Sequence, residues 1–139
     1  MRVDSIKNGI VIDHILPGCA MKIYRMLRLN ELDCTVAVLQ NVPSKQMGKK
    51  DIIKIDKIVD IDYDILGYAS PDITLDIVRE GTVCEKIKIE TPKELHNVLF
   101  CNNPRCISST EQEIEHIFKL SDKEKRIYRC IYCDKEQGI

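Results

Sequence analysis

Cys101-Asn-Asn-Pro-Arg-Cys106, followed after a long insert (residues 107–129) by Cys130-Ile-Tyr-Cys133, decides how the last third of this chain folds. Two close cysteine pairs separated by an insert can bring four thiolates onto one tetrahedral ion. Zinc suits four sulfurs, because it has no d-electron geometric preference and no redox chemistry. Asn102, Asn103 and Pro104 supply the turn that folds the first pair back on itself. With four protein ligands no position is left for water or substrate, so such an ion is structural. Two disulfides would need an oxidising compartment. The polar start, Met1-Arg-Val-Asp-Ser-Ile, lacks the apolar core of a secretory leader. A redox Cys130-x-x-Cys133 would leave Cys101 and Cys106 without a role. The spacing therefore favours Zn2+, one per chain, on Cys101, Cys106, Cys130 and Cys133. Cys19, Cys34 and Cys84 lie in apolar periodic segments and are expected to act as small core hydrophobes.

The surrounding composition is that of a globular protein. The chain has 139 residues, 44% hydrophobic and 31% charged, with a formal net charge of -1. That length allows one ordinary domain or two small ones. The last stretch is too short to fold on apolar burial alone, so a metal would supply folding energy there, on the order of 10 kcal/mol. The near-zero net charge argues against a general nucleic-acid coat. No apolar run reaches the length of a membrane span. The expectation is a cytoplasmic protein with no membrane and no nucleic-acid partner.

Moving toward the N-terminus, turn signals divide the chain into short elements. Gly9-Ile-Val-Ile-Asp-His-Ile15 is a β-branched run after an Asn8-Gly9 turn. After Pro17-Gly18, the apolar positions Cys19, Ala20, Ile23, Met26 and Leu27 predict an amphipathic helix from Cys19 to Leu29, closed by Asn30. Strands are expected from Cys34 to Leu39 and from Asp51 to Val59, with residues 41–48 as a polar loop between them. A second helix, Asp60 to Ala69, is capped by Asp60 or Asp62. Two strands, 73–78 and 82–89, form a hairpin across Arg79-Glu80-Gly81, and Glu90-Thr-Pro-Lys93 reads as a linker. This order predicts an α+β chain: a ferredoxin-like N-terminal sandwich with a small C-terminal β-rich four-cysteine zinc domain.

Catalytic signatures are missing. There is no Gly-x-Gly-x-x-Gly, no Walker lysine loop and no Ser-His-Asp constellation in context. His116 competes poorly with four thiolates and is expected at the surface, as is His96. Asp13-His14 either marks the point where a strand leaves the core or faces a ligand. Lys54 interrupts a run of isoleucines, sharing a face with Ile52, and a lysine there needs an anion or water at its head. Lys54 and Lys86, with Asp13 nearby, could hold a phosphorylated ligand that also carries hydroxyls. Two other functions compete. Arg126, Arg129, Lys123 and Lys125 crowd the second cysteine pair as in a nucleic-acid-binding zinc ribbon, but acidic neighbours balance them and the strands lack stacking aromatics. A thiol oxidoreductase would need a reactive Cys130.

Three segments resemble one known family. They are Asn8-Gly-Ile-Val-Ile-Asp-His-Ile15, Val42-Pro-Ser-Lys-Gln-Met-Gly-Lys-Lys-Asp-Ile-Ile-Lys-Ile55 and Asn97-Val-Leu-Phe-Cys-Asn-Asn-Pro-Arg-Cys-Ile-Ser108, completed by Cys130-Ile-Tyr-Cys133. Together they resemble the regulatory chains of aspartate carbamoyltransferase, in order and nearly end to end. The resemblance implies a non-catalytic subunit of pyrimidine biosynthesis. Residues 1–92 would form an allosteric domain binding nucleotide effectors such as CTP and ATP. Residues 93–139 would form a zinc domain contacting the catalytic chain. Regulatory chains would pair as homodimers that bridge catalytic trimers. By matching motif, Asp13 and Lys54 would serve the ribose and base, and His14 and Lys86 the phosphates. Val3, Ser5 and Ile6 would present backbone and apolar surface to the base, with Ile52, Asp76, Val78 and Val83 lining the pocket.

Overall fold

The computed structural model describes residues 6–138. Two compact units divide between Glu90 and Thr91. The first runs β1 (Gly9–Ile15), α1 (Ala20–Met26), β2 (Val36–Ser44), β3 (Gly48–Ile55), α2 (Tyr63–Ala69), β4 (Thr74–Arg79) and β5 (Thr82–Lys88). Its sheet has the order β2-β3-β1-β4-β5 and every pair is antiparallel. The first four strands thus follow the split βαβ order of ferredoxin-like sandwiches, with β5 added outside β4. Alternation along β1 and β3 sends Ile10, Ile12, Ile53 and Ile55 into one apolar face. There they form a buried core with Ile15, Ile23, Leu66, Ile73 and Leu75. The helices pack on that face, and the opposite one carries the alternate residues of the strands.

Several element boundaries differ from the sequence expectation, each for a local reason. The first helix is shorter: Arg28 takes a left-handed conformation (φ 54) and Leu29–Glu31 continue as a 3-10 turn, so Asn30 lies inside that turn and does not close α1. The expected polar loop 41–48 is mostly strand. Val42 pairs with Lys50, Pro43 with Lys49 and Ser44 with Gly48, leaving a tight turn at residues 45–47. Ser44 Oγ accepts from Met47 N at 3.3 Å within it. Pro43 is tolerated because β2 is an edge strand and needs no donor on its outer side. The third strand stops at Ile55, four residues early. Asp62 caps α2, accepting from Asp64 N at 3.0 Å. Between β4 and β5, Glu80 (φ 52) and Gly81 (φ 78) form the two-residue turn of primed type that a twisted hairpin favours.

The second unit is an antiparallel sheet in the order β6 (Glu94–His96), β7 (Ile117–Asp122), β8 (Ile127–Cys130), β9 (Glu136–Gly138), with a short helix α3 (Ile107–Thr110). Leu95, Phe118 and Tyr128 form its small buried core. Thr91, Pro92 and Lys93 hydrogen-bond into this unit, through Arg126 Nη1, Tyr128 Oη and Leu120 N respectively. Among the described residues no helix is long and apolar enough to cross a membrane.

Candidate metal centre and ligand face

In the second unit the four cysteine sulfurs lie within 4.8 Å of one another. Cys101 Sγ is 3.6 Å from Cys133 Sγ, and Cys106 Sγ is 3.7 Å from Cys130 Sγ. Four sulfurs about 2.3 Å from a central ion would sit about 3.8 Å apart, so the cage has the right size for a tetrahedral thiolate-bound metal. Cys101, Cys106 and Cys130 are buried. Local hydrogen bonds shape each knuckle: Cys106 N donates to Asn103 O at 3.0 Å, and Asp134 N to Cys130 O at 2.9 Å. Asp134 adopts φ 62 to close the second turn.

The four thiols are not equivalent. Ser108 Oγ lies 3.0 Å from Cys106 Sγ, and its hydroxyl stabilises the thiolate, holding that thiol down to about 7. A backbone N–H at Lys135 lowers Cys133. Burial pushes Cys101 up to about 12. Without a cation the cage is therefore a poor home for four charges, and a divalent ion resolves this by replacing protons. His116 stands just outside the cage. Its Nδ1 accepts from Cys101 N at 3.5 Å, and its ring meets Phe100 edge-on at 4.9 Å. It is thus half-buried and engaged, where a plain surface residue was expected. His96 is exposed, as expected, between Glu115 (2.8 Å) and Glu94 (3.6 Å). Phe100, Ile107, Ile131 and Tyr132 are large exposed apolar residues, and each adjoins a cysteine of the cage. Arg129, one of the basic residues near the second knuckle, is tied to Glu136 at 2.9 Å and to Asp134 O at 3.1 Å.

The first unit's open face carries the other candidate residues. Strand register aligns them in three rows. Asp13, Thr74 and Lys88 form one, and Lys54, Val11, Asp76 and Lys86 the next. Gly9, Val78 and Val83 form the third. Two-residue steps of about 7 Å make the three rows span about 13 Å along the strands. One end is cationic and polar, the other apolar. A cleft of about 440 Å³ at the polar end is lined by His14, Gln46, Met47, Asp72, Thr74, Lys86 and Lys88. Among the described residues Lys54, Lys86 and Lys88 form no ion pair. Asp76 Oδ1 is buried and has no hydrogen-bond donor among the described residues.

Asp13 and His14 face the same side because β1 bulges there. Pairing with β3 jumps from Ile12↔Ile53 to Ile15↔Asp51, and His14 adopts φ 58. The strand returns to the core at Ile15, and both polar residues stay out of it. Asp13 Oδ1 accepts from His14 N at 2.7 Å and pairs with Lys50 Nζ at 3.0 Å. His14 Nδ1 meets Thr74 Oγ1 at 2.9 Å. Ile6 leads into β1, its side chain close to Gly9, while Val3 and Ser5 lie outside the described residues. Lys50, Thr74 and Lys88 were not among the expected ligand contacts, although the two-residue period already puts Lys88 on the face of Lys86; Thr74 appears only through register. Cys19 and Cys34 pack against the core as expected. Cys84 does not: it sits exposed on edge strand β5, unpaired in the bulge between Val83 and Glu85.

Comparisons with known proteins agree with this two-part layout. Residues 1–90 match the family described as aspartate carbamoyltransferase regulatory chain, allosteric domain. Residues 93–138 match aspartate carbamoyltransferase regulatory chain, metal binding domain. A relative from Clostridium botulinum (strain Hall), named aspartate carbamoyltransferase regulatory chain, is 51% identical over 135 residues, covering 97% of this chain and 92% of its own. Those from Clostridium tetani (48%; 97% and 94%) and Bifidobacterium longum (41%; 100% of both) carry the same name. The chain belongs to the family of aspartate carbamoyltransferase regulatory chains, with an allosteric and a metal-binding domain.

Proposed function

We propose that this chain is a non-catalytic subunit that senses a nucleoside triphosphate with residues 1–92 and grips the aspartate carbamoyltransferase catalytic chain with residues 93–139. The observation that carries the nucleotide reading is the three-row face. Lys88 stands in the row at one end, Lys54 and Lys86 share the middle row with the buried Asp76 Oδ1, and apolar side chains fill the other end; among the described residues none of these lysines forms an ion pair and that oxygen has no donor. Lys86 and Lys88 neutralise phosphates, and His14 hydrogen-bonds to them. Asp13, Lys54 and Asp76 take the sugar hydroxyls and base, with Asp76 Oδ1 accepting from a ligand donor. Val78, Val83, Ile52 and Ile6 give the base its apolar surface. CTP and ATP both fit this chemistry.

Cys101, Cys106, Cys130 and Cys133 hold one structural Zn2+, the ion best matched to four thiolates. The exposed Phe100, Ile107, Ile131 and Tyr132 around it give the second unit an apolar docking surface of the kind that marks protein interfaces. Regulatory chains pair as homodimers and so bridge catalytic trimers in the cytoplasm, in pyrimidine biosynthesis.

Calorimetric titration of the zinc-loaded chain with CTP and with ATP tests the sensing half. Saturable binding, millimolar or tighter, is expected for at least one, with Lys86→Ala weakening it by about tenfold through loss of a charged hydrogen bond. Absence of binding by both nucleotides contradicts the proposal.

A further inference from the structure

Asp51 is the one fully buried carboxylate among the described residues. It lies on β3 next to Lys50, but its side chain enters the core face while Lys50 reaches Asp13 on the open one. Three backbone donors from two places, the turn into α1 and β2, converge on it. Gly18 N (2.9 Å) and Ala20 N (3.3 Å) donate to Oδ2, and Asn41 N (3.1 Å) donates to Oδ1. No cation pairs with it among the described residues. A buried carboxylate persists there because several N–H groups satisfy it.

The position of these bonds matters more than their number. Both neighbours of β3 break register at the level of Asp51. On one side β1 bulges at Asp13-His14, with His14 at φ 58. On the other, β2 jumps from Leu39↔Ile52 to Val42↔Lys50, with Asn41 at φ 58. Left-handed backbone costs energy for residues other than glycine and persists only when surrounding bonds hold it. Asp51 holds the Asn41 bulge directly. It also holds the turn that receives β1 after Ile15, through Gly18 and Ala20. The β1 bulge, in turn, is what turns two consecutive residues, Asp13 and His14, toward the ligand face. A regular strand would send one of them inward.

We propose that Asp51 is a positioning residue of the ligand face: its buried carboxylate clamps the double bulge that presents Asp13 and His14. This rests on the nucleotide reading above. The test titrates CTP and ATP into zinc-loaded full chain carrying Asp51→Asn, which keeps size but sets an amide donor against at least one N–H. Expected is an affinity loss of about tenfold or more. The His14 ring nitrogen signals should shift at the same time, as the 2.9 Å contact with Thr74 loosens. Ile53→Val, which trims the core on the same strand, should lower the melting temperature yet leave affinity and His14 signals unchanged. Gly18→Ala covers the case in which Asp51→Asn does not fold. Its added Cβ meets nothing within 4 Å, so it disturbs the clamp only through backbone strain at φ 91, and a loss of a few-fold is expected. Wild-type chain that binds neither nucleotide defeats the nucleotide reading itself. Wild-type chain that binds, with Asp51→Asn (or Gly18→Ala if the former is unfolded) within twofold of it, overturns the positioning role alone.

Discussion

Ser108 shows how much one hydroxyl can decide. It touches Cys106 Sγ at 3.0 Å and is the largest influence holding that thiol near 7, against burial that acts the other way. Outer partners of metal ligands commonly contribute about 10- to 100-fold in affinity. Ser108→Ala is accordingly expected to lose zinc to a chelator at roughly tenfold lower chelator concentration, by competition titration, with the fold of the first unit unchanged. Proton linkage gives a second expectation. Zinc takes thiolates, so each thiol still protonated must release a proton on binding, and affinity rises with pH. Cys101, raised to about 12, contributes that slope across the neutral range. Cys106, lowered to about 7, contributes only below that value. The apparent zinc affinity should therefore fall as pH falls, and fall more steeply below about pH 7 than above it. An affinity flat between pH 6 and 8 would refute the shared thiolate cage.

Among the elements, β1 was the best read and the least complete. Its alternation of isoleucines is visible in the sequence, and so is the polar pair at its end. The bulge that turns both Asp13 and His14 to one face is not, because it depends on pairing with β3 and on a buried Asp51 far along the chain. The β2–β3 hairpin was hidden for a related reason. Pro43 and a run of polar residues read as loop, yet an edge strand tolerates both. The cysteine cage, by contrast, was legible outright, since short spacings within each pair leave few geometries. Gly9 gives this strand a sharp test. A Cβ there would run into the carbonyl oxygen of Ile55 and the Ile6 side chain, so β1 and β3 approach closely only because the residue is glycine. Gly9→Ala should cost about 1–3 kcal/mol, the range of overpacked sites. A thermal melt of the pure chain reads it, and an unchanged midpoint would mean that the close approach does not exist.

The whole molecule divides its chemistry between two compact units, one with an open sheet face and one with a sulfur cage. The rows of the open face are built within the first unit and the cage within the second. Single substitutions should therefore separate the two proposed properties. Lys54→Ala is expected to weaken CTP or ATP binding while leaving association with catalytic trimers intact. Cys101→Ala is expected to abolish association, read by size-exclusion co-elution, while leaving nucleotide affinity within a few-fold. Loss of both properties in both variants would contradict the division of labour. The most direct measurement of the central claim is the carbamoyl-transfer rate of catalytic trimers reconstituted with this chain as nucleotide is added. With zinc-loaded chain the rate should move with CTP or ATP, in either direction, and the response should vanish when a chelator strips the metal. A rate indifferent to both nucleotides in a verified, zinc-loaded complex would contradict it.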